Sequence, residues 1–496
     1  MSRLGMGTVV KASVAILLVL GGCSDNGAGN LAQPDQPLIP SPPGSVTIDV
    51  RDFGAKGDGK ADDSAAFDAA VRALPATGGR ILVPAGTYML RAIHTNPLHV
   101  LDISSKQNLT ISGQGSEATI LRMAPAAYHS AIHIILVRHS SGITFENFTL
   151  DANGGDILYQ DEHSHGIQIE SSVDVRIVGV HFKDSGGDGV RLLGAAAEGS
   201  WTERVWIENS HFQDSFRNGI SIQRAVRDVV IRGNSFERIS DQSISAEPTG
   251  NSAPTDILVE DNVIHHANSN SAVALAGIGP HDVLKRLTFR NNRLENAAAY
   301  FLWADSLMVE GNMIQGDAYH SPLRMEDVSE ATVIDNDING KTQEGIGTVQ
   351  IINDDGDFPS GIILQDNRIA VEAGLSGIYV RDPWKDITIS GNDIQGAGGG
   401  VGISFDNILV NGTRRTGIVL VDNNVENFKT GIALISRGDP YSSVEIRSNS
   451  IGYDQADSDN TVGLLFVGTG PYEAFAQLLF NSIGSGIQTR IRVTGN

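Results

Sequence analysis

The sequence predicts an all-β solenoid, a parallel β-helix of about a dozen rungs, on three observations. One phrase, Gly followed by alternating apolar residues, recurs as HGIQI (165–169), DGVRL (188–192), NGISI (218–222), SGIYV (376–380), VGISF (401–405), TGIAL (430–434) and VGLLF (462–466). A second phrase, alternating apolar residues closed by Asn, falls between these: VVIRGNSF (229–236), ILVEDNVI (257–264), LTFRNNRL (287–294), ITISGNDI (387–394) and VEIRSNSI (444–451). Third, 56 of 496 residues are Gly, about 11% against a usual ~7%, with only 17 Pro and 1 Cys, so tight turns rather than disorder or disulfides shape the chain. The phrases carry short period-2 strands that cannot bury themselves singly, so the copies stack and place Ile167, Val190 and Ile220 inside. Asn or Gly at the corners tolerates left-handed backbone, and stacked Asn can form hydrogen-bonded ladders. The repeats lack the i, i+3, i+4 spacing of an α-solenoid.

The elements follow in chain order. Residues 1–22 carry Arg3, Lys11 and an apolar run too short to be a stable span, which reads as a signal peptide. The run ends Leu20-Gly21-Gly22-Cys23 and resembles the bacterial lipobox, which implies that Cys23 is diacylated and becomes the mature first residue; the alternative is an ordinary cleaved signal. Ser24 rather than Asp follows, so the same resemblance implies the outer membrane, on its periplasmic or surface face. The lipid would attach the protein without spanning the bilayer. Residues 23–44 are polar and Pro-rich, an extended tether. Residues 45–92 form an N-terminal cap and the first rungs. There Asp63 is expected to cap a helix that lines Phe67, Ala70, Val71 and Leu74 along one face. Residues 93–496 are the β-helix proper.

The stretch Val50-Arg51-Asp52-Phe53-Gly54-Ala55-Lys56-Gly57-Asp58-Gly59, then Asp62-Asp63 and GGRILVPAGTYML (78–90), resembles the opening of the pectate-lyase-like right-handed β-helix superfamily. That superfamily includes rhamnogalacturonases, polygalacturonases, mannuronan epimerases and phage tailspike depolymerases. The resemblance implies a right-handed helix and a polysaccharide substrate. It does not separate lyase, hydrolase and epimerase.

Stacking turns the repeat into columns with rungs about 4.8 Å apart. The position before the repeat's Gly reads His165, Asp188, Asn218 and Gln242. The corresponding strand of polygalacturonases carries catalytic Asp and His; Asp188 matches at one rung, whereas His165 and Asn218 depart. The D-P-H tripeptide of the epimerases is not reproduced, and Asp161-Glu162-His163 is only a loose echo. Candidate catalytic residues are therefore Asp188, His165, Arg191, Arg217 and Asp241, with Asn218, Gln168, Ser221, Glu247 and His163 as substrate-binding candidates. Glu247 lies five residues along the strand from Asp188, nearly ~20 Å by strand rise, too far for an acid/base pair. Asp188 and Asp241 are two rungs apart, about 9.6 Å, at the upper edge of the inverting-hydrolase window. Tyr300, Trp303, Tyr379 and Trp384 could stack on sugars or pack the walls.

Lys+Arg total 36 against Asp+Glu 58, a net charge of -22 that processing at Cys23 moves to -24 by removing Arg3 and Lys11. Such a chain lacks the basic surface of a nucleic-acid binder. It would also repel a polyuronate unless Ca²⁺ bridged the two. Asn353–Asp357 and Asp454–Asn460 are acidic loops that could hold Ca²⁺ but lack regular ligand spacing, and no transition-metal motif is present. The leading expectation is a polysaccharide lyase acting on a pectin-like polyuronide, with His165 or Arg217 as base and Arg191 pairing the substrate carboxylate. The alternatives are an inverting hydrolase with Asp188 as acid and Asp241 as base, a C5-epimerase, and a non-catalytic glycan-binding solenoid.

Overall fold

Three long parallel sheets wrap one apolar interior in the computed structural model. It describes residues 46–95, 97–125, 132–153, 163–195, 199–248, 252–265, 272–316, 320–340, 346–354, 361–382, 385–407, 416–437, 441, 443–454, 461–468, 476–479, 481–484 and 487–494. The signal segment, Cys23 and the tether lie outside these residues. So do Asp161, Glu162, Trp384 and most of the two acidic loops. Each turn lays one strand in each sheet. The first sheet has 16 strands from Val46–Asp49 to Ala476–Leu479, the second 16 from Asp58–Asp62 to Ser482–Ile483, and the third 15 from Leu98–Ser104 to Thr489–Thr494. Residues 44–496 form one unit.

Register explains the core. Ile135, Ile167, Val190, Ile220 and Ile244 are Cα partners in successive strands of the third sheet, and all are buried. In the second sheet Phe182, Phe212 and Phe236 stack with ring centroids 4.7 and 4.9 Å apart, the rung spacing itself.

The corner between the first and second sheets takes two residues with separate tasks. The first is left-handed: Gly233, Asp261, Asn291, Gly311, Asp335, Asp366, Gly391, Asp422 and Ser448 have φ of 53–66°. From the Gly233 corner onward the second is Asn, running Asn234, Asn262, Asn292, Asn312, Asn336, Asn367, Asn392, Asn423, Asn449 and Asn481, whereas the earlier corners at Asn147, Gly179 and Asn209 are followed by Phe148, Val180 and Ser210. Each side-chain Nδ2 donates to the Oδ1 of the next at 2.9–3.1 Å. The expected ladder therefore exists, and the residue that turns the chain is the one before it.

The expected helix is Ser64–Ala73, with Phe67, Ala70 and Val71 buried and Leu74 just beyond its end. Asp63 does not cap it by its side chain. Its carboxylate instead accepts the backbone N–H groups of Lys56 at 2.7 Å and Gly57 at 3.2 Å, bracing the preceding loop. Asp62 takes the Ser64 N–H and hydroxyl instead.

Candidate active site

Outward residues of the third sheet are unusually covered. Gln168, Arg191, Ser221 and Ser245 are Cα partners in adjacent strands and alternate with core residues. Yet Gln168, Ser221 and Ser245 are buried, and Arg191 is half-buried. Polar side chains thus form a layer outside the apolar core.

Asp188 sits at the centre of that layer. Its carboxylate receives Arg217 Nη1 at 3.3 Å to each oxygen and the Asn218 N–H at 3.3 Å, while His165 Nδ1 lies 3.3 Å from Oδ2. Burial pushes the Asp188 pKa up to about 6, against the pull of Arg217, the Asn218 N–H, Arg191 and the Ser221 hydroxyl. Glycine at 189 lets the next rung come close, for a Cβ there would meet Gly219 O at 2.8 Å and the Phe212 ring at 2.9 Å, and the Asp188 carboxylate is closed in, at 0% exposed. It holds neighbours rather than meeting a ligand directly.

His165 is buried beside it, and Arg191 Nη1 lies 3.1 Å from His165 Nε2. A guanidinium only donates, so Nε2 accepts. Nδ1 faces both the Asp188 N–H at 3.2 Å, a second donor, and Asp188 Oδ2 at 3.3 Å, the acceptor that draws the ring proton to Nδ1 in competition with that amide. Burial, then the positive charge of Arg191, pushes the His165 pKa well below its ordinary value, so the imidazole is neutral. A carboxylate-oriented imidazole with a lone pair at Nε2 has the form of a general base, here covered by an arginine.

Arg217 is not a base. Its second nitrogen donates to Glu247 Oε2 at 2.8 Å while the first holds Asp188, and a doubly ion-paired guanidinium has no lone pair to offer. The same bridge corrects the separation expected for Glu247. One guanidinium spans both carboxylates, which therefore lie within roughly 8 Å of each other. Counting residues gave a backbone separation along a straight strand and left out the lengths of the Asp188 and Glu247 side chains, which meet on Arg217.

Asn218 is buried, its Oδ1 accepting the Gln242 N–H at 3.1 Å. Asp241 stands one register position away, its N–H on Arg217 O, and its carboxylate takes Gln242 Nε2 at 2.7 Å. Asp241 thus belongs to the Gly187–Arg217 column rather than that of Asp188. Ser221 receives Gln223 Nε2 at 3.3 Å, and His163 is exposed just before the His165 strand.

The sequence reading passed over His133, which stacks on His165 with parallel rings 5.3 Å apart, and His99, its Cα partner one rung earlier. Burial first, then Arg191, pushes the His133 pKa down to about 4. Gly follows His165, whereas Ile134 and Val100 follow these two, so the Gly phrase does not mark them. The apolar alternation after each would have. Near this line His133 Nδ1, Arg191 Nε, Asn218 Nδ2, Gln242 Oε1 and Ser245 Oγ are buried without a protein hydrogen-bond partner.

Farther along the same outward column, Tyr300 donates its hydroxyl to Glu326 at 3.0 Å, and the Arg324 guanidinium lies 5.3 Å from the ring centroid. That ring is already engaged. Tyr379 is buried, and Trp303 Nε1 is buried without a partner.

Residues 133–314 match a family model described as a right handed beta helix region. The solenoid is a right-handed β-helix. Residues 47–135 of this β-helix protein match a second family, rhamnogalacturonase A/epimerase, pectate lyase-like, over the segment that holds the VRDFGAKGDG motif and the helix. Among curated proteins, a mannuronan C5-epimerase of Azotobacter vinelandii is 35% identical over 114 residues, 22% of this chain and 6% of the epimerase. Alginate lyase 7 of the same organism is 38% identical over 79 residues, 16% of this chain and 9% of the lyase. An exopolygalacturonase of Arabidopsis thaliana is 51% identical over 51 residues, 10% of this chain and 11% of that enzyme. The chain thus spans about a tenth or less of the length of these relatives. The two family matches together support a pectate-lyase-like β-helix.

Proposed function

We propose that the protein is a polysaccharide lyase acting on a polyuronide, with His165 as base and Arg191 as the carboxylate partner. The observation that carries this reading is the contact of Arg191 Nη1 with the lone-pair nitrogen of His165 at 3.1 Å. A uronate carboxylate would draw Arg191 into a charge-assisted pair and uncover Nε2 in the same movement. It would also neutralise the second-largest influence holding the His165 pKa down, making the imidazole more basic once substrate is bound. The base then takes the C5 proton, the C5–H electrons form the C4=C5 double bond, and the C4–O bond breaks. The imidazolium returns the proton to the departing oxygen. Asp188 keeps the imidazole tautomer, and Arg217 holds Asp188. The epimerase and lyase among the relatives support this chemistry, since both names describe reactions on uronate polymers.

A second reading, an inverting hydrolase, is favoured by the Asp188–Glu247 pair rather than by Asp188 and Asp241. The bridge keeps the two carboxylates within roughly 8 Å, a bound that includes the inverting range, and Asp188 at about 6 suits an acid once Arg217 moves aside, since the carboxyl is 0% exposed. Incubation with a panel of polyuronates and neutral glycans decides between them. Ultraviolet-absorbing unsaturated ends support the lyase, reducing ends alone the hydrolase, and deuterium exchange at C5 without cleavage an epimerase. Retained binding without turnover makes the protein a non-catalytic glycan-binding solenoid.

Membrane attachment through Cys23 belongs to the same proposal. Cys23→Ser is expected to move the protein from the membrane to the soluble fraction with unchanged melting; wild-type protein that is soluble without detergent refutes it.

A further inference from the structure

Two rungs before His165, where the first strand of the third sheet meets the N-terminal cap, the His line ends in a group that the proposed reaction does not use. One ligand atom from each of His94, His99 and Asp102 lies within 4.8 Å of the other two. We infer that these three residues bind one divalent transition-metal ion of the zinc type, and that the ion fastens the cap to the third sheet.

The partners choose which nitrogen of each neutral ring carries the hydrogen. His99 Nδ1 lies 2.7 Å from Pro97 O, an atom that only accepts, so Nδ1 carries the hydrogen and Nε2 the lone pair. His99 is 4% exposed, and its Nε2 is buried with no hydrogen-bond partner, 3.7 Å from Asp102 Oδ2. Lone pair and carboxylate oxygen both accept. The buried imidazole lone pair and the partly exposed carboxylate repel across this gap, and a cation between them reverses the sign. His94 Nε2 lies 3.0 Å from Asp68 Oδ1, so its hydrogen is held there and Nδ1 carries the free lone pair. Each imidazole therefore has its other nitrogen tied to a carbonyl or carboxylate, the outer support that metal-binding histidines regularly show. Asp102 Oδ1 accepts the Ser104 N–H at 2.9 Å, leaving Oδ2 toward His99.

The backbone holds the pair ready, for His94 and His99 exchange both N–H···O bonds, at 3.1 and 3.2 Å. Their rings lie 4.7 Å apart at 16°. Closing on an ion with bonds of about 2.0–2.1 Å needs ligand atoms roughly 3.3 Å apart, a shift of an ångström or so. His94, in an irregular connection, can supply it. Two imidazoles and one carboxylate suit zinc and its neighbours, not Ca²⁺, which takes six or more oxygens. Because Asp68 belongs to the Ser64–Ala73 helix, the ion would tie helix, connection and strand together.

The test uses the full chain, stripped with a chelator and titrated with Zn²⁺ and with Co²⁺ as a spectroscopic probe. The expected result is one tightly held ion per chain, four-coordinate cobalt absorption and a rise in Tm. His94→Gln and Asp102→Asn, both at partly exposed positions, should each weaken binding tenfold or more and abolish the Tm rise. His181→Gln, at a different His pair on the second sheet, should change neither. The 13 histidines make adventitious binding the competing outcome. Zinc bound equally by wild type and both variants, or no binding at 100-fold excess metal, overturns the site and leaves a bare His–Asp contact.

Discussion

Asp188 shows how far one residue's chemistry could be foreseen. Its column was legible because Gly189, like Gly166 and Gly219, marks the turn into the strand, but its burial was not. Exposure depends on Arg217 and Arg191 folding over it, which a one-dimensional pattern does not carry. The pH linkage has a definite sign. The folded pKa of about 6 lies above the ordinary 3.8, so this group favours the fold fully below 3.8. That contribution, about 3 kcal/mol, is lost as pH rises through 6. Asp188→Asn removes the cost of burying the charge and leaves Arg217 its Glu247 partner. At pH 8 its Tm is expected to be no lower than wild type, with the difference closing by pH 4. Turnover should fall a hundredfold or more, because Asn no longer enforces the base tautomer of His165. Full activity in Asp188→Asn would move the site elsewhere. A large loss of Tm at pH 8 would make Asp188 a structural residue.

The Asn ladder is the element most plainly written in the sequence and the one whose loss is easiest to weigh. Asn336 Oδ1 accepts both the backbone N–H and the side chain of Asn312, and its Nδ2 reaches Val309 O, Ile334 O and Asn367 Oδ1. Asn336→Ala strands several of these groups in a place that is 2% exposed. At about 1–3 kcal/mol for each buried unsatisfied group, the expected loss is about 4 kcal/mol. Asn336→Asp should be no better, since a carboxylate facing three acceptors has nothing to donate. A denaturant series showing less than 1 kcal/mol for Asn336→Ala would mean that water replaces the ladder. The cap was legible for the same kind of reason: Phe67, Ala70 and Val71 repeat at helical spacing. The exchange of roles between Asp62 and Asp63 was not, because two adjacent acids before a helix offer the same local signal and the loop at Lys56–Gly57 chooses between them.

For the molecule as a whole, the repeat phrases revealed the solenoid but did not mark its first rungs. Early rungs such as Leu98–Ser104 and Ile132–Arg138 lack the Gly phrase, and their histidines were hidden with them. A fragment of residues 45–217 would end before Asn234, keeping the cap while losing the entire ladder and exposing three strand edges. It is expected to be insoluble. A soluble fragment with a cooperative melt would show that the early rungs stand alone. The direction of the bonding matters in another respect. Sheet hydrogen bonds and ladder amides all run along the solenoid axis, so tension between the chain ends would load one rung at a time, as a zipper is loaded, rather than many in shear. Ladder neighbours are 20 to 32 residues apart in sequence, so each released rung would lengthen the chain by roughly 70–115 Å. The protein would then yield at low force in a regular sawtooth. A solenoid hard to melt would be easy to unravel by its ends.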